Sequence, residues 1–226
     1  ERERPVFLLV EQSPRLFFGS GLCFKSVLAA QVAALFGWAA LAHNDRIGGL
    51  VFDDAGSSEI RPRRSKQSLL QLLGRVVRAN QQLSSRGSEP AAGDGLGLAL
   101  RRAREVLRPG SLVLAICDER SLVDSAEQQF ALLARHCDLI LLPLSDPLDH
   151  ALPAAGLLRF TDEHARLELD TSDAELRQAW RERGEARQLR WQRLAQKLGV
   201  LLLPLSTQRD LIKQLREQVL PHPQAQ

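Results

Sequence analysis

Five short apolar runs divide the chain: PVFLLV (residues 5–10), RIGGLVF (46–52), SLVLAICD (111–118), DLILLPLS (138–145) and VLLLPLS (200–206). The first is apolar on both faces, the pattern of a central parallel strand, and the rest read as further buried strands. Between them lie stretches of helical period, at residues 22–42, 65–83, 94–107, 124–136, 172–198 and 210–219. In the second helix Leu69, Leu70, Leu72, Leu73, Val76 and Val77 share one face. SSEIRPR (57–63) reads as a short strand, and its Pro62 restricts it to a sheet edge. Residues 156–169 alternate in the manner of a hairpin. A polar loop is expected at 84–93.

Strand and helix alternate nearly throughout, which predicts a doubly wound α/β sheet. The expectation is one domain over residues 1–226, mostly parallel, with an antiparallel edge strand and a hairpin insertion at about 156–170. In such sheets ligands gather beyond the carboxyl ends of the strands, at the switch in strand order. The loops 11–21, 84–94 and 118–124 are therefore the ones to inspect.

Composition narrows the choices. The net charge is +3, and no basic run alternates with stacking aromatics, so a nucleic-acid site is not expected. Three scattered cysteines, Cys23, Cys117 and Cys137, make neither a disulfide framework nor a zinc spacing, and fit a reducing cytoplasm. Residues 26–42 are nearly apolar enough to cross a membrane, but Gln31 interrupts them. They read as a core helix, with no span expected in this piece. The chain opens ERERP and contains no Met, as an excised piece of a longer protein would.

The loop after the first strand carries the candidate chemistry. GSGLCFKS (19–26) fits G-x-x-x-x-G-K-[ST] except at Phe24, which replaces the second glycine. LVLAICDE (112–119) ends in Asp-Glu, as the magnesium-holding strand of a P-loop ATPase does. An ATPase built on Lys25, Ser26, Asp118 and Glu119 is the alternative reading. Geometry opposes it. The glycine before the lysine is the tightest point of a phosphate cradle, and eight residues separate the strand from Gly19. EQSPR (11–15) instead has the spacing of the D-x-S-x-S metal loop, with Glu11 for the Asp and Arg15 for the second Ser. No Ser sits in G-x-S-x-G, and His136, His150 and His164 share no ligand spacing. The basic IRPRRSK (60–66) and the Arg-rich helix with Trp180 and Trp191 read first as solvated or packed surface.

VFLLVEQSPRLFFG, KSVLAAQVAALFGWAAL, DRIGGLVF, DGLGLALRRA, SLVLAICDE and PLDHALP occur in this order. Together they resemble the von Willebrand factor A-like half of the bacterial "domain of unknown function 58" family, over nearly the whole chain. The resemblance implies a non-enzymatic adaptor that works with a MoxR-type AAA+ ATPase or its client. It also implies a full-length protein anchored in the membrane, with this half cytoplasmic. The family's Mg²⁺ or Mn²⁺ site carries over in part. Glu11, Ser13, Asp94 and Asp118 match ligand positions, and Arg15 puts a cation where a ligand should be. A guanidinium can satisfy several carboxylate oxygens at once. Arg15 replacing the ion among Glu11, Asp94 and Asp118 is one outcome; an empty site and a bound divalent ion are the others. No other cofactor is expected.

Overall fold

A computed structural model of the chain describes residues 4–83, 93–161 and 166–219. In chain order the elements are β1 (Pro5–Glu11), α1 (Lys25–Ala42), β2 (Arg46–Phe52), β3 (Ser57–Arg63), α2 (Lys66–Gln82) and α3 (Gly95–Val106). Then come β4 (Leu112–Asp118), α4 (Asp124–Leu133), β5 (Asp138–Ser145), the single turn α5 (Pro147–His150) and β6 (Leu157–Thr161). The rest are β7 (Arg166–Asp170), α6 (Ala174–Leu198), β8 (Leu201–Leu202), β9 (Leu205–Ser206) and α7 (Leu211–Val219). The main sheet runs β3-β2-β1-β4-β5-β8, with β9 also on β5. Every pairing is parallel except that of β3, which lies antiparallel on β2 at the edge. β6 and β7 form a separate antiparallel hairpin. The mixed sheet, its antiparallel edge and the hairpin are those expected from the sequence.

Period-two alternation splits the core in two. Val6, Leu8 and Val10 of β1 join Leu114 and Ile116 of β4 on one face, beneath Leu28, Val32, Leu69 and Leu72 of α1 and α2. Phe7 and Leu9 face the other way, with Val113, Ala115, Leu100, Phe130 and Trp191 under α3, α4 and α6. Helix α1 is long and apolar enough to cross a membrane by length and composition. Here it lies on the sheet, with Leu28, Ala29, Val32, Ala33 and Ala40 buried in that core.

Three predicted boundaries move. Helix α1 starts at Lys25, not residue 22, because residues 19–24 are packed as a loop. A Cβ on Gly21 would stand 2.5 Å from the Thr207 carbonyl oxygen, and the Leu22 N–H donates to that same oxygen at 2.8 Å. The last strand is interrupted between β8 and β9 at Pro204, which has no N–H to give the ladder. Helix α4 ends at Leu133 rather than residue 136, and PLDH after β5 is a helical turn closed by a capping box of Asp146 and Asp149. The polar loop expected at 84–93 lies outside the described residues except for Gly93, and so does His164.

Candidate functional site

Strand order reverses at β1, which has β2 on one side and β4 on the other. Register then decides what meets beyond the strand ends. Val10 pairs with Ile116, which sets Glu11 level with Cys117 and Asp118 one residue beyond, both at the ends of their strands. Both side chains are buried. The Asp118 N–H donates to Glu11 Oε2 at 2.9 Å. Ser13 Oγ donates to Glu11 Oε1 at 2.6 Å, and the Ser121 hydroxyl lies within 2.9 Å of both Glu11 oxygens. Burial, and next the Asp118 charge, push the Glu11 carboxyl up, against these hydrogen bonds.

Asp118 is held differently. The Cβ of a helical residue tilts toward the helix N-terminus, so Lys25 at the start of α1 projects into the crevice. Its Nζ lies 2.6 Å from Asp118 Oδ2 and 2.9 Å from Asp149 Oδ2, with the side chain wholly shut off from solvent. Arg120 closes the other flank, Nε at 2.8 Å from Asp118 Oδ1 and Nη2 at 3.0 Å from Oδ2. Burial alone would raise the Asp118 carboxyl; Lys25 and Arg120 outweigh it and hold the group well below the usual carboxylate range.

Supporting bonds fix both cations. Asp149 also accepts the Asp146 N–H at 2.8 Å, and Asp146 accepts the Ser20 N–H at 2.7 Å, tying the loop before α1 to the turn after β5. Glu119 is clamped from α6 and α5: Arg187 Nε of α6 lies at 2.9 Å and His150 Nε2 of α5 at 3.1 Å, and Trp191 of α6 donates to its carbonyl at 2.9 Å. The hydrogen bond to Glu119 raises the His150 imidazole despite partial burial.

The expected ligand positions part company. Glu11, Ser13 and Asp118 meet at the crevice. Arg15 Nη1 lies 2.9 Å from Asp54 and 3.8 Å from Glu11. Asp94 caps α3, accepting the Gly97 N–H at 3.0 Å. Among the described residues no group of three or more His, Cys, Asp or Glu side chains is placed to hold a metal ion, so Glu11, Asp94 and Asp118 do not form a ligand set. The donor chemistry also fits a divalent ion poorly. Two cations already contact Asp118. Lys25, the residue a phosphate loop would aim at its ligand, is spent on Asp118 and Asp149. Sequence reasoning missed Lys25 as the counter-charge, and with it Asp149, Arg120 and Ser121. Arg120 and Ser121 follow Asp118 so closely that they were visible; Asp149 is far away in sequence and was not.

Residues 1–190 match the family described as "Protein of unknown function DUF58". The chain belongs to that family. It is 26% identical over 212 residues to an uncharacterized protein of Mycobacterium tuberculosis, covering 93% of this chain and 64% of that protein. It is 31% identical over 147 residues to a gamma-glutamyl phosphate reductase of Xylella fastidiosa, covering 62% of this chain and 34% of the reductase. The chain thus spans less than two thirds of these relatives. Among solved structures, the conserved hypothetical protein BatB from Bacteroides thetaiotaomicron superposes with a TM-score of 0.56 at 12% identity, over 95% of both chains. An aerotolerance-related membrane protein from Bacteroides fragilis does so at 0.53 and 15%, over 95% of this chain and 98% of that one. The fold of this DUF58 chain, a mostly parallel α/β sheet with an antiparallel edge strand, is shared with these two structures.

Proposed function

We propose that this DUF58 chain is a non-enzymatic interaction domain that presents the rim of its crevice to a protein partner. The observation that carries the reading is the contrast between the crevice and its rim. Glu11, Asp118, Glu119 and Asp149 are each engaged by partners inside the fold, which leaves them poorly placed for acid–base work. Beside them the loop before α1 is rigid yet exposes apolar side chains. Leu22 is 71% exposed and Phe24 41%. Phe17 and Phe24 meet edge to face with ring centroids 5.1 Å apart, and the Lys25 N–H closes the loop on the Phe18 carbonyl at 2.9 Å. An apolar anchor ordered before binding loses little entropy on docking.

The partner proposed is a MoxR-type AAA+ ATPase or its client, on the family resemblance set out above. The full-length protein would sit in the membrane with this domain on the cytoplasmic side; the membrane protein among its structural relatives supports the first part of that reading. The test is binding of the immobilised chain to the MoxR-type ATPase of the same organism, with and without client. Leu22→Asp is expected to weaken binding at least tenfold while leaving the unfolding temperature unchanged. No binding to either protein, or binding indifferent to Leu22→Asp, overturns the proposal.

A further inference from the structure

We propose that the Lys25 ammonium is the resident cation of the crevice, a tethered charge where a D-x-S-x-S loop would hold Mg²⁺ or Mn²⁺. The inference does not rest on the identity of any partner.

Three observations converge on it. The first is position. Lys25 Nζ lies beyond the ends of β1 and β4, at the switch in strand order, 2.6 Å from Asp118, the strand-end carboxylate that matches a ligand position. The second is the second carboxylate. Asp149 reaches the same nitrogen at 2.9 Å from the turn after β5, and that turn is fixed by its own capping box. The third is charge. Lys25 and Arg120 balance Asp118 and Asp149, and the Lys25–Asp118 pair is wholly buried. A divalent ion entering there would meet the ammonium within a few ångströms and leave the buried cluster with excess positive charge, which a low-dielectric interior strongly opposes.

The loop in front agrees. Ser13 donates its hydroxyl proton to Glu11, which ties the two side chains of the loop to each other. Arg15 stands in place of the second serine and pairs with Asp54. An ion drawn from solution makes a site conditional on its concentration. A lysine makes it permanent, so the crevice assembles whenever the chain folds.

The experiment is thermal unfolding of the whole chain and of Lys25→Ala, each in EDTA, MgCl₂, MnCl₂ and methylammonium chloride. A ligand at ~100 times its dissociation constant raises the unfolding temperature of a domain this size by about 5 °C or more. The wild-type chain is expected to unfold at one temperature in all four. Lys25→Ala empties an ammonium-sized space beside two carboxylates. It is expected to unfold well below wild type in EDTA and to regain at least 5 °C in Mn²⁺ or methylammonium. Reversing Asp118 to Asn in the Lys25→Ala background is expected to abolish that rescue. A wild-type shift with Mg²⁺ or Mn²⁺ overturns the proposal, as does a Lys25→Ala chain that folds in EDTA and gains nothing from any of the cations. The wild-type wells decide on their own if Lys25→Ala does not fold under any of the four conditions, because a metal-dependent shift there is incompatible with a resident lysine and its absence is what the proposal requires.

Discussion

At the carboxyl ends of the strands, Lys25 and Asp118 lie 2.6 Å apart with neither side chain reaching solvent. Toward the amino ends, Arg102 lies 3.0 Å from Glu59 and 2.7 Å from Glu105, with its own side chain about half exposed at 49%. Arg46, Arg61 and Arg108 join Arg102 around an open cavity of about 350 Å³ there. The residue types are alike and the distances are alike, yet the two clusters do different things. In water an ion pair trades one set of hydrogen bonds for another and is screened by salt. In the crevice neither charge has water to fall back on, so each member makes the other indispensable. Distance alone does not rank the two pairs; access to solvent does.

The largest expected break in this comparison is Lys25→Met, which keeps the bulk and removes the charge. It leaves Asp118 and Asp149 facing an apolar side chain. The expected loss is about 3–5 kcal/mol, read as the change in urea midpoint at constant slope. Asp149→Asn comes next. It removes one of the two carboxylates on Lys25 but leaves Asp118, so about 1–3 kcal/mol is expected by the same measurement. Arg102→Ala at the other end is expected to leave the urea midpoint almost where it was, and added salt should erase what difference there is. A loss at Arg102 as large as that at Lys25 would sink the comparison.

The smallest effect is a pH dependence on the α6 side of the crevice. His150 faces Glu119, Asp149, Arg187 and Gln188, and its folded pKa lies above the ordinary value. A raised histidine contributes stability that is fully present below about pH 6.5 and lost as pH rises through the folded value. Wild type is therefore expected to lose a degree or two between pH 6 and 8 that His150→Gln does not, read by thermal unfolding across that range. The carboxylates behave oppositely to each other in acid. Asp118 is depressed, so its contribution is present above the ordinary carboxylate pKa of about 3.9 and lost only as pH falls through its lower folded value. Glu11 is raised, so its ionised form costs stability as pH climbs from the ordinary value through the raised one. Glu11→Gln is expected to remove the fall in stability that sets in as pH climbs above the ordinary glutamate value of about 4.3, which a urea series at fixed pH steps would show.

Much of this was legible in the chain. The run PVFLLV could be nothing but a strand buried on both faces, and the two cores of the structure divide it residue by residue as period two requires. Glu11 and Asp118 at strand ends were legible too, because parallel strands at a switch point bring their carboxyl ends together. The place of Arg15, read as the cation among Glu11, Asp94 and Asp118, was less legible. A cation four residues from Glu11 looked close, and in the fold it reaches Glu11 only at 3.8 Å while pairing with Asp54. Lys25 looked like part of a broken phosphate motif, and its spacing from Asp118 along the chain carried no hint that the two would touch.

Sequence alone determined the layers, the edge strand and the crevice end, because hydrophobic period and turn chemistry act over a few residues and survive in any one chain. Only the tertiary structure decided which cation answers which carboxylate. That choice depends on where a helix starts, which way its first side chain tilts, and which turn the far side of the sheet carries past it. Along the chain Lys25 is 93 residues from Asp118 and 124 from Asp149, and the three meet only when β1, β4 and β5 have found their register.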